Sequence, residues 1–426
     1  MARPDTLQLF LGEEPVGWVH DATPLAFEYA PAWLQRQPAR PVAAIPLQPG
    51  RQQSDAVQAF FENLLPEGEL RDHLSTQRKA STLFSLLLEV AGDTAGAFVL
   101  LPAGQLPQPA QYEPTTWSEL AATIQAKSAA AIDLQGGDAR ISLAGAQDKA
   151  GVAIFADGVP RLPRGTAPST HILKPDIRRL NKVRESALNE AVIMMTAARC
   201  GLPTADVFYE PATRACVVRR FDRVARADGG LDRLVQYDLC QLAGTMSDRK
   251  YEKEGGPGLA ACAAIVRRTS SQPAVDLRHL VQWVFFNLYT GNNDSHAKNL
   301  SIYERPGGGV RLTPFYDLMC TRIYPGLSRE FAFRLGGEAL PGRVGREQIN
   351  ALARELGMGA AFVHKTAEEL GNRLPSALHA ACEELAPLLS AGGQVFLEKL
   401  RLWVMSNTSK TVARISPNRI EKHKEV

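Results

Sequence analysis

The chain has 426 residues, of which 45% are hydrophobic, 22% charged and 7% aromatic. This globular balance excludes wholesale disorder and collagen-like repeats, and the length corresponds to about three folding units or one large two-lobed enzyme. Lys+Arg 48 against Asp+Glu 45 leaves +3, too mild to predict nucleic-acid binding from charge alone. The six cysteines form no CxxC pair and have no His at zinc-finger spacing, so they predict buried free thiols in a reducing cytosol.

The N-terminal segment MARPDTLQLFLGEEPVGW has one Arg and a very short apolar stretch, unlike a signal peptide. The most apolar windows, such as Leu280 to Leu288, fall far short of the ~20 residues a bilayer span requires. The expectation is a cytoplasmic protein with no membrane contact.

Residues 6–19 predict two short strands joined at Gly12-Glu13-Glu14-Pro15. Helical spacing of apolar residues predicts helices over 55–75 and 78–91, the second stopped by Gly92. AGAFVLLP (95–102) reads as a strand. Residues 103–116 are rich in Pro and Gln with little to bury, which makes a first domain boundary. Thr116 to Ala131 predicts a helix, followed by two strands, ARISLA and KAGVAIFA, around a Gly-containing turn. THILKPD (170–176) is a further strand, and Glu185 to Cys200 a long helix stopped by Gly201-Leu202-Pro203. DVFYEP and RACVVRRFDRV predict an antiparallel pair.

From Tyr237 onward helices dominate, broken at Gly255-Gly256-Pro257-Gly258, with at least three more helical patterns over 345–406. No internal repeat is visible. The expected class is α+β. A small α/β cap covers 1–103, a strand-rich lobe 117–236, a helical lobe 237–405, and a polar basic tail, frayed, 406–426.

The most informative stretch is FNLYTGNNDSHAKNLSIY, residues 286–303, in which a helix runs into Gly291, a polar loop and a strand. Asp294 in such a loop can orient or accept a proton from an attacking hydroxyl. Asn299, five residues on, can ligate Mg²⁺ through its amide oxygen, and Asp317 in LTPFYDLM supplies a second loop ligand. Lys298 can neutralise phosphate charge. The Asp294–Asn299 interval matches that of the protein-kinase catalytic loop, and Tyr316-Asp317-Leu318 takes the place of the DFG triplet. His296 is expected to orient or pack.

ISLAGAQDKAGVAI (141–154) reads as strand, tight polar turn, strand, and the small Ala144, Gly145 and Ala146 let backbone N–H groups approach phosphates. It matches neither GxGxxG nor GxxxxGK[ST]. Lys174 in the next strand can reach the α/β-phosphates, with Glu190 as first choice of partner and Glu185 second. RRFDRV (219–224) reads as a structural ion pair. The backbone of LVQYDLCQ (234–241), where the lobes meet, can hydrogen-bond an adenine edge.

Together FFENLLPEG, ISLAGAQDK, THILKPD, RRFDR, LVQYDLCQ, KYEKEGGPG, GNNDSHAKN and FYDL, in this order from about residue 6 to about 320, resemble the HipA-like serine/threonine protein kinases, toxins of bacterial type II toxin–antitoxin modules. The resemblance implies a two-lobed protein-kinase-like fold with an N-terminal cap, using ATP and Mg²⁺. It implies Asp294 as catalytic residue, Asn299 and Asp317 as metal ligands, Lys174 as the ATP-anchoring lysine, and Ala144, Gly145, Ala146, Gln147, Asp148 and Lys149 as the phosphate loop. Tyr237, Asp238 and Leu239 would form the adenine hinge. His296, Ala297, Lys298 and Asn299, with Tyr316, would border the nucleotide. Ser142 matches a serine that family members autophosphorylate, which expels the loop. Family members usually pair with a helix-turn-helix antitoxin, HipB-like, that binds operator DNA. Some phosphorylate an aminoacyl-tRNA synthetase, the glutamyl enzyme, causing growth arrest or persistence. A phosphate at Ser142 would in any case place ~2 negative charges beside the ATP phosphates. The same motifs would also serve a small-molecule kinase, and the basic tail would suit a DNA-bound co-repressor.

Overall fold

A computed structural model describes residues 4–67, 71–72, 75–76, 79–90, 92–126, 149–178 and 180–416. Alternation in TLQLFL puts Leu7 and Leu9 on a buried face and makes β1 (Thr6–Leu11). It pairs antiparallel with β2 (Glu14–His20), and β3 (Ala26–Tyr29), β4 (Gln52–Gln53) and β5 (Phe98–Pro102) complete a sheet of order β4-β3-β2-β1-β5. Helices α1 (Pro31–Leu34), α2 (Asp55–Glu62) and α3 (Leu83–Val90) belong to this unit, whose core gathers Phe27, Tyr29, Phe60, Phe61 and Phe98. The helix expected over 55–75 stops at Glu62, because Pro66 lies just beyond and Asn63 folds its amide back onto the Ala59 carbonyl.

The second unit is a six-stranded sheet of order β10-β11-β9-β7-β8-β6. Its strands are β6 (Gln111–Pro114), β7 (Ala150–Ile154), β8 (Pro160–Arg164), β9 (His171–Pro175), β10 (Val207–Glu210) and β11 (Ala215–Arg219). The 103–116 stretch, expected to be a domain boundary with little to bury, contributes an edge strand, β6, paired with β8. Helix α4 (Trp117–Ala126) buries Leu120 and Ile124, and α5 (Ser186–Arg199) is buried along almost its whole length. The ARISLA strand lies outside the described residues.

RACVVRRFDRV is not one strand. It breaks after β11, and β12 (Arg223–Ala225) pairs with β13 (Leu231–Arg233). The break turns Arg220 and Asp222 inward, where Arg220, Arg223 and Asp222 meet Asp93, from the end of the N-terminal unit, in a closed set of buried ion pairs. Asp222 also accepts from the Gly96 amide, and Arg220 and Arg223 both donate to the Thr94 carbonyl. The structural pair expected at RRFDRV is thus part of a clasp between the two units.

The third unit is helical: α6 (Leu239–Ala243), α7 (Leu259–Thr269), α8 (Pro273–Thr290), α9 (Arg346–Glu355), α10 (Ala360–Leu385) and α11 (Ala391–Ile415). A small sheet, β14 (Gln236–Asp238), β15 (Ser301–Glu304) and β16 (Val310–Leu312), sits at its edge. The tail expected to fray from 406 instead continues α11 to Ile415. Thr408, Thr411 and Ile415 are buried, Asn407 donates to the Leu288 and Tyr289 carbonyls, and Arg414 to those of Val344 and Pro341. All six cysteines are buried and unpaired. Among the described residues no helix is long and apolar enough to cross a membrane.

Candidate active site

Helix α8 ends at Gly291, whose φ of +73° only glycine adopts readily. A Cβ there would also lie 2.4 Å from the Trp403 ring, so the chain turns tightly against α11 before entering the polar loop. The loop is fastened by its own side chains. Asn292 Nδ2 donates to Asn287 Oδ1 at 2.8 Å, the Asn293 amide donates to Thr321 Oγ1 at 2.8 Å, and Asn299 Nδ2 donates to the Asp294 carbonyl at 3.1 Å. The last bond commits the amide nitrogen of Asn299 and leaves its Oδ1 as an acceptor. Tyr251 Oη donates to Asp294 Oδ1 at 2.5 Å.

Strand β9 carries Lys174 to the opposite wall. Its Nζ donates to Glu190 Oε1 at 2.6 Å and to Asp317 Oδ1 at 2.8 Å. Glu185 instead binds Arg214, 2.6 Å away. Burial opposes a charge on Lys174, but the Asp317 and Glu190 carboxylates outweigh it and hold the ammonium well above its ordinary range. Burial likewise opposes ionisation of Asp317, which the Lys174 and Lys149 ammoniums overcome, keeping it ionised. Asp317 has φ +59°, a left-handed conformation rare for a side-chain-bearing residue, and its side chain remains 40% exposed. Such strain concentrates at working sites.

These groups face one cavity of about 320 Å³ that Asp294, Asn299, Lys174 and Asp317 line together. Lys149, Asp238, His296, Lys298 and Tyr316 also border it. Burial and the Lys250 ammonium push the His296 imidazole down to about 4, so it is neutral near pH 7. Its Nδ1 is buried with no hydrogen-bond partner among the described residues, and the ring meets Tyr251 edge-on at 5.2 Å. Tyr316 Oη donates to the Lys298 carbonyl at 2.9 Å and lies 2.7 Å from Ser301 Oγ. Burial and the Lys174 charge push the Lys149 ammonium down to about 8.

Three expected positions are placed differently. Tyr237 packs its ring against Phe60 and Phe98 of the N-terminal unit, at 6.2 and 6.1 Å, and Leu239 and Ala297 are fully buried away from the cavity. The strand register turns Gln236 and Asp238 to the cavity instead. Asp238 caps α6, its Oδ1 accepting from the Gln241 amide at 2.7 Å. Lys298 is no free phosphate neutraliser. Its Nζ donates to Asn63 Oδ1 at 2.8 Å and pairs with Glu67 Oε1 at 3.1 Å. Ala144, Gly145, Ala146, Gln147, Asp148 and Ser142 lie outside the described residues.

Residues 7–101 match the description "HipA N-terminal domain" and residues 141–378 "HipA-like C-terminal domain". The chain belongs to the HipA family. It is 33% identical over 390 residues to the protein Y4mE of Sinorhizobium fredii, covering 89% of this chain and 90% of that one. It is 30% identical over 413 residues to the serine/threonine-protein kinase toxin HipA of Shewanella oneidensis, covering 91% and 92%. The HipA chain in a solved Shewanella oneidensis complex of HipA, HipB and operator DNA superposes with a TM-score of 0.81 at 26% identity, covering 95% of this chain and 97% of that one. The expected α+β, two-lobed kinase-like fold with an N-terminal cap therefore holds for this HipA-family protein.

In this HipA-family chain, sequence reasoning missed Asn63, Glu67, Lys250 and Tyr251 as residues of the site. FFENLLPEG and KYEKEGGPG were visible as motifs, but nothing local says that segments almost two hundred residues apart close on Asp294 and Lys298. Glu67 gathers both lysines, at 2.6 Å from Lys250 and 3.1 Å from Lys298. Burial opposes its charge, but these ammoniums hold the carboxyl down at about 2.

Proposed function

We propose that this protein is a cytoplasmic ATP- and Mg²⁺-dependent serine/threonine kinase, the toxin of a type II toxin–antitoxin module. The reading rests above all on Lys174 held between Glu190 and Asp317, facing Asp294 and Asn299 across one cavity. The donor set suits a magnesium-bound triphosphate. Asp317 is ionised and half-exposed, Asn299 keeps an amide oxygen available, and the buried Lys174 ammonium stands beside Asp317 at 2.8 Å. When bound, ATP with Mg²⁺ supplies the phosphoryl group and neutralises its oxygens.

Lys174 anchors the α/β-phosphates, with Glu190 fixing its position. Asn299 and Asp317 hold the metal. Asp294, on the loop fastened by Asn292, Asn293 and Asn299, orients the attacking serine or threonine hydroxyl and accepts its proton. The segment from Ala144 to Lys149 cradles the phosphates. The hinge contact with adenine falls to Gln236 and Asp238. Lys298 fixes the catalytic loop, while His296 and Tyr316 border the nucleotide. Phosphorylation of Ser142 inactivates the enzyme by repelling ATP. A HipB-like helix-turn-helix antitoxin is the proposed partner and the route to operator DNA, supported by the complex in which the structural relative was solved. The proposed target is a translation protein, an aminoacyl-tRNA synthetase.

Purified protein is incubated with γ-labelled ATP, Mg²⁺ and cell lysate. A labelled protein band, with phosphoserine at Ser142 by mass spectrometry, is the expected result. Label confined to small metabolites would overturn the protein-kinase reading.

A further inference from the structure

The segment joining α2 to the rest of the N-terminal unit is pressed into the catalytic loop. Glu62 accepts from the Ser247 amide at 2.8 Å and from its hydroxyl at 2.6 Å, and Asn63 Nδ2 donates to the Thr245 carbonyl at 2.9 Å. These bonds dock the strap that carries Lys250 and Tyr251. Glu67 then makes two further contacts. One oxygen takes Lys250, whose neighbour Tyr251 donates to Asp294. The other takes Lys298, whose neighbour Asn299 donates to the Asp294 carbonyl. Glu67 is 8% exposed, and it lines the cavity.

We propose that Glu67 of the N-terminal unit is a positioning residue for phosphoryl transfer, acting through Lys250–Tyr251 on one side of Asp294 and Lys298–Asn299 on the other. The inference rests on the kinase reading for its activity arm only. A carboxylate between two ammoniums keeps both from turning toward Asp294, whose charge they would otherwise capture. Tyr251 Oη, held in place this way, occupies one oxygen of Asp294 and leaves the other for the incoming hydroxyl. The N-terminal unit is on this account part of the catalytic apparatus rather than an appended module.

The test compares the full-length wild type with Glu67→Gln, Glu67→Asp and Tyr251→Phe, each checked for its thermal midpoint. Glu67→Gln keeps the shape and removes the charge. Expected is a fall in kcat of about tenfold or more with KM for ATP within about twofold, partial rescue by Glu67→Asp, and a kcat loss in Tyr251→Phe that Glu67→Gln does not multiply in the double variant. Unchanged kcat in Glu67→Gln, or a loss residing in KM for ATP, would overturn the proposal. Hydrogen–deuterium exchange over 292–300 and 247–252 gives a readout independent of activity. Faster exchange in Glu67→Gln, with Glu67→Asp nearer wild type, supports the positioning chain, and unchanged exchange in both segments refutes it. If the wild type transfers no phosphate, the kinase reading fails while the exchange experiment still decides the role of Glu67.

Discussion

Two clusters of buried charge in this protein look alike as contacts and differ in every consequence. Around Asp93, the arginines Arg220 and Arg223 and the carboxylate of Asp222 have side chains between 0% and 5% exposed and are paired with one another and with the Thr94 and Gly96 backbone. Around Lys174, the inner carboxylate of Glu190 is sealed, but the outer one, Asp317, sits in a left-handed backbone conformation with its side chain 40% open to a cavity. Closed networks fasten two units together. An open one, whose outer carboxylate lines a cavity, has capacity for a ligand. Ion-pair distances alone do not separate the two cases, whereas exposure and backbone strain do.

The comparison breaks most visibly at Lys174. Lys174→Met should reduce phosphoryl transfer by about 10²-fold or more, since it removes the cation that anchors the α/β-phosphates. A steady-state kinase assay reads this, and a loss of only a few-fold would put Lys174 in the structural class with Arg220.

The reverse holds for the closed cluster. Asp93→Asn leaves buried guanidinium charge uncompensated and should cost about 3–5 kcal/mol of stability in urea unfolding, with the folded fraction retaining its specific activity. A loss under about 1 kcal/mol would show that the clasp is dispensable. The same cluster predicts a pH dependence. Burial opposes ionisation of Asp93 and Asp222, but the arginines win, bringing Asp222 to about 2 and Asp93 lower still. Unfolded, both carboxyls titrate near ~3.9, so below that pH the unfolded chain binds more protons than the folded one. Their stabilisation is complete above the unfolded value and drains away as pH falls toward 2. The urea midpoint of the wild type should drop across this window, and Asp93→Asn should flatten the drop. The smallest effect belongs to the surface. Arg401→Ala, which breaks the exposed Arg401–Glu398 pair, should leave the melting midpoint unmoved.

What the sequence disclosed follows from how far each signal reaches along the chain. NNDSHAKN was legible because a polar loop between an apolar helix and an alternating strand is a local pattern, and the Asp294–Asn299 interval is fixed by that loop alone. Glu190, the first candidate for Lys174, is its partner, and Glu185 pairs with Arg214 instead. The strand at 111–114 was hidden because an edge strand has one paired side and little buried surface, so Pro and Gln are tolerated there. The end of α11 was hidden because Thr408 and Thr411 are polar residues made internal by packing against another helix. The backbone reading of LVQYDLCQ gave no sign of where the Tyr237 ring goes, and it packs on the aromatic core of the N-terminal unit. The contributions of Glu67, Lys250 and Tyr251 were beyond reach because each is decided by how separate units dock.

The central claim, that this cavity moves a phosphoryl group with Asp294 at its chemical end, is tested most directly by measuring ATP binding and phosphoryl transfer together in wild type and Asp294→Gln, both with Mg²⁺. ATP affinity should stay within a few-fold, since Lys174, Asn299 and Asp317 remain, while transfer to Ser142 and to protein targets falls by about 10²–10⁴-fold. Transfer at an undiminished rate in Asp294→Gln would contradict the account.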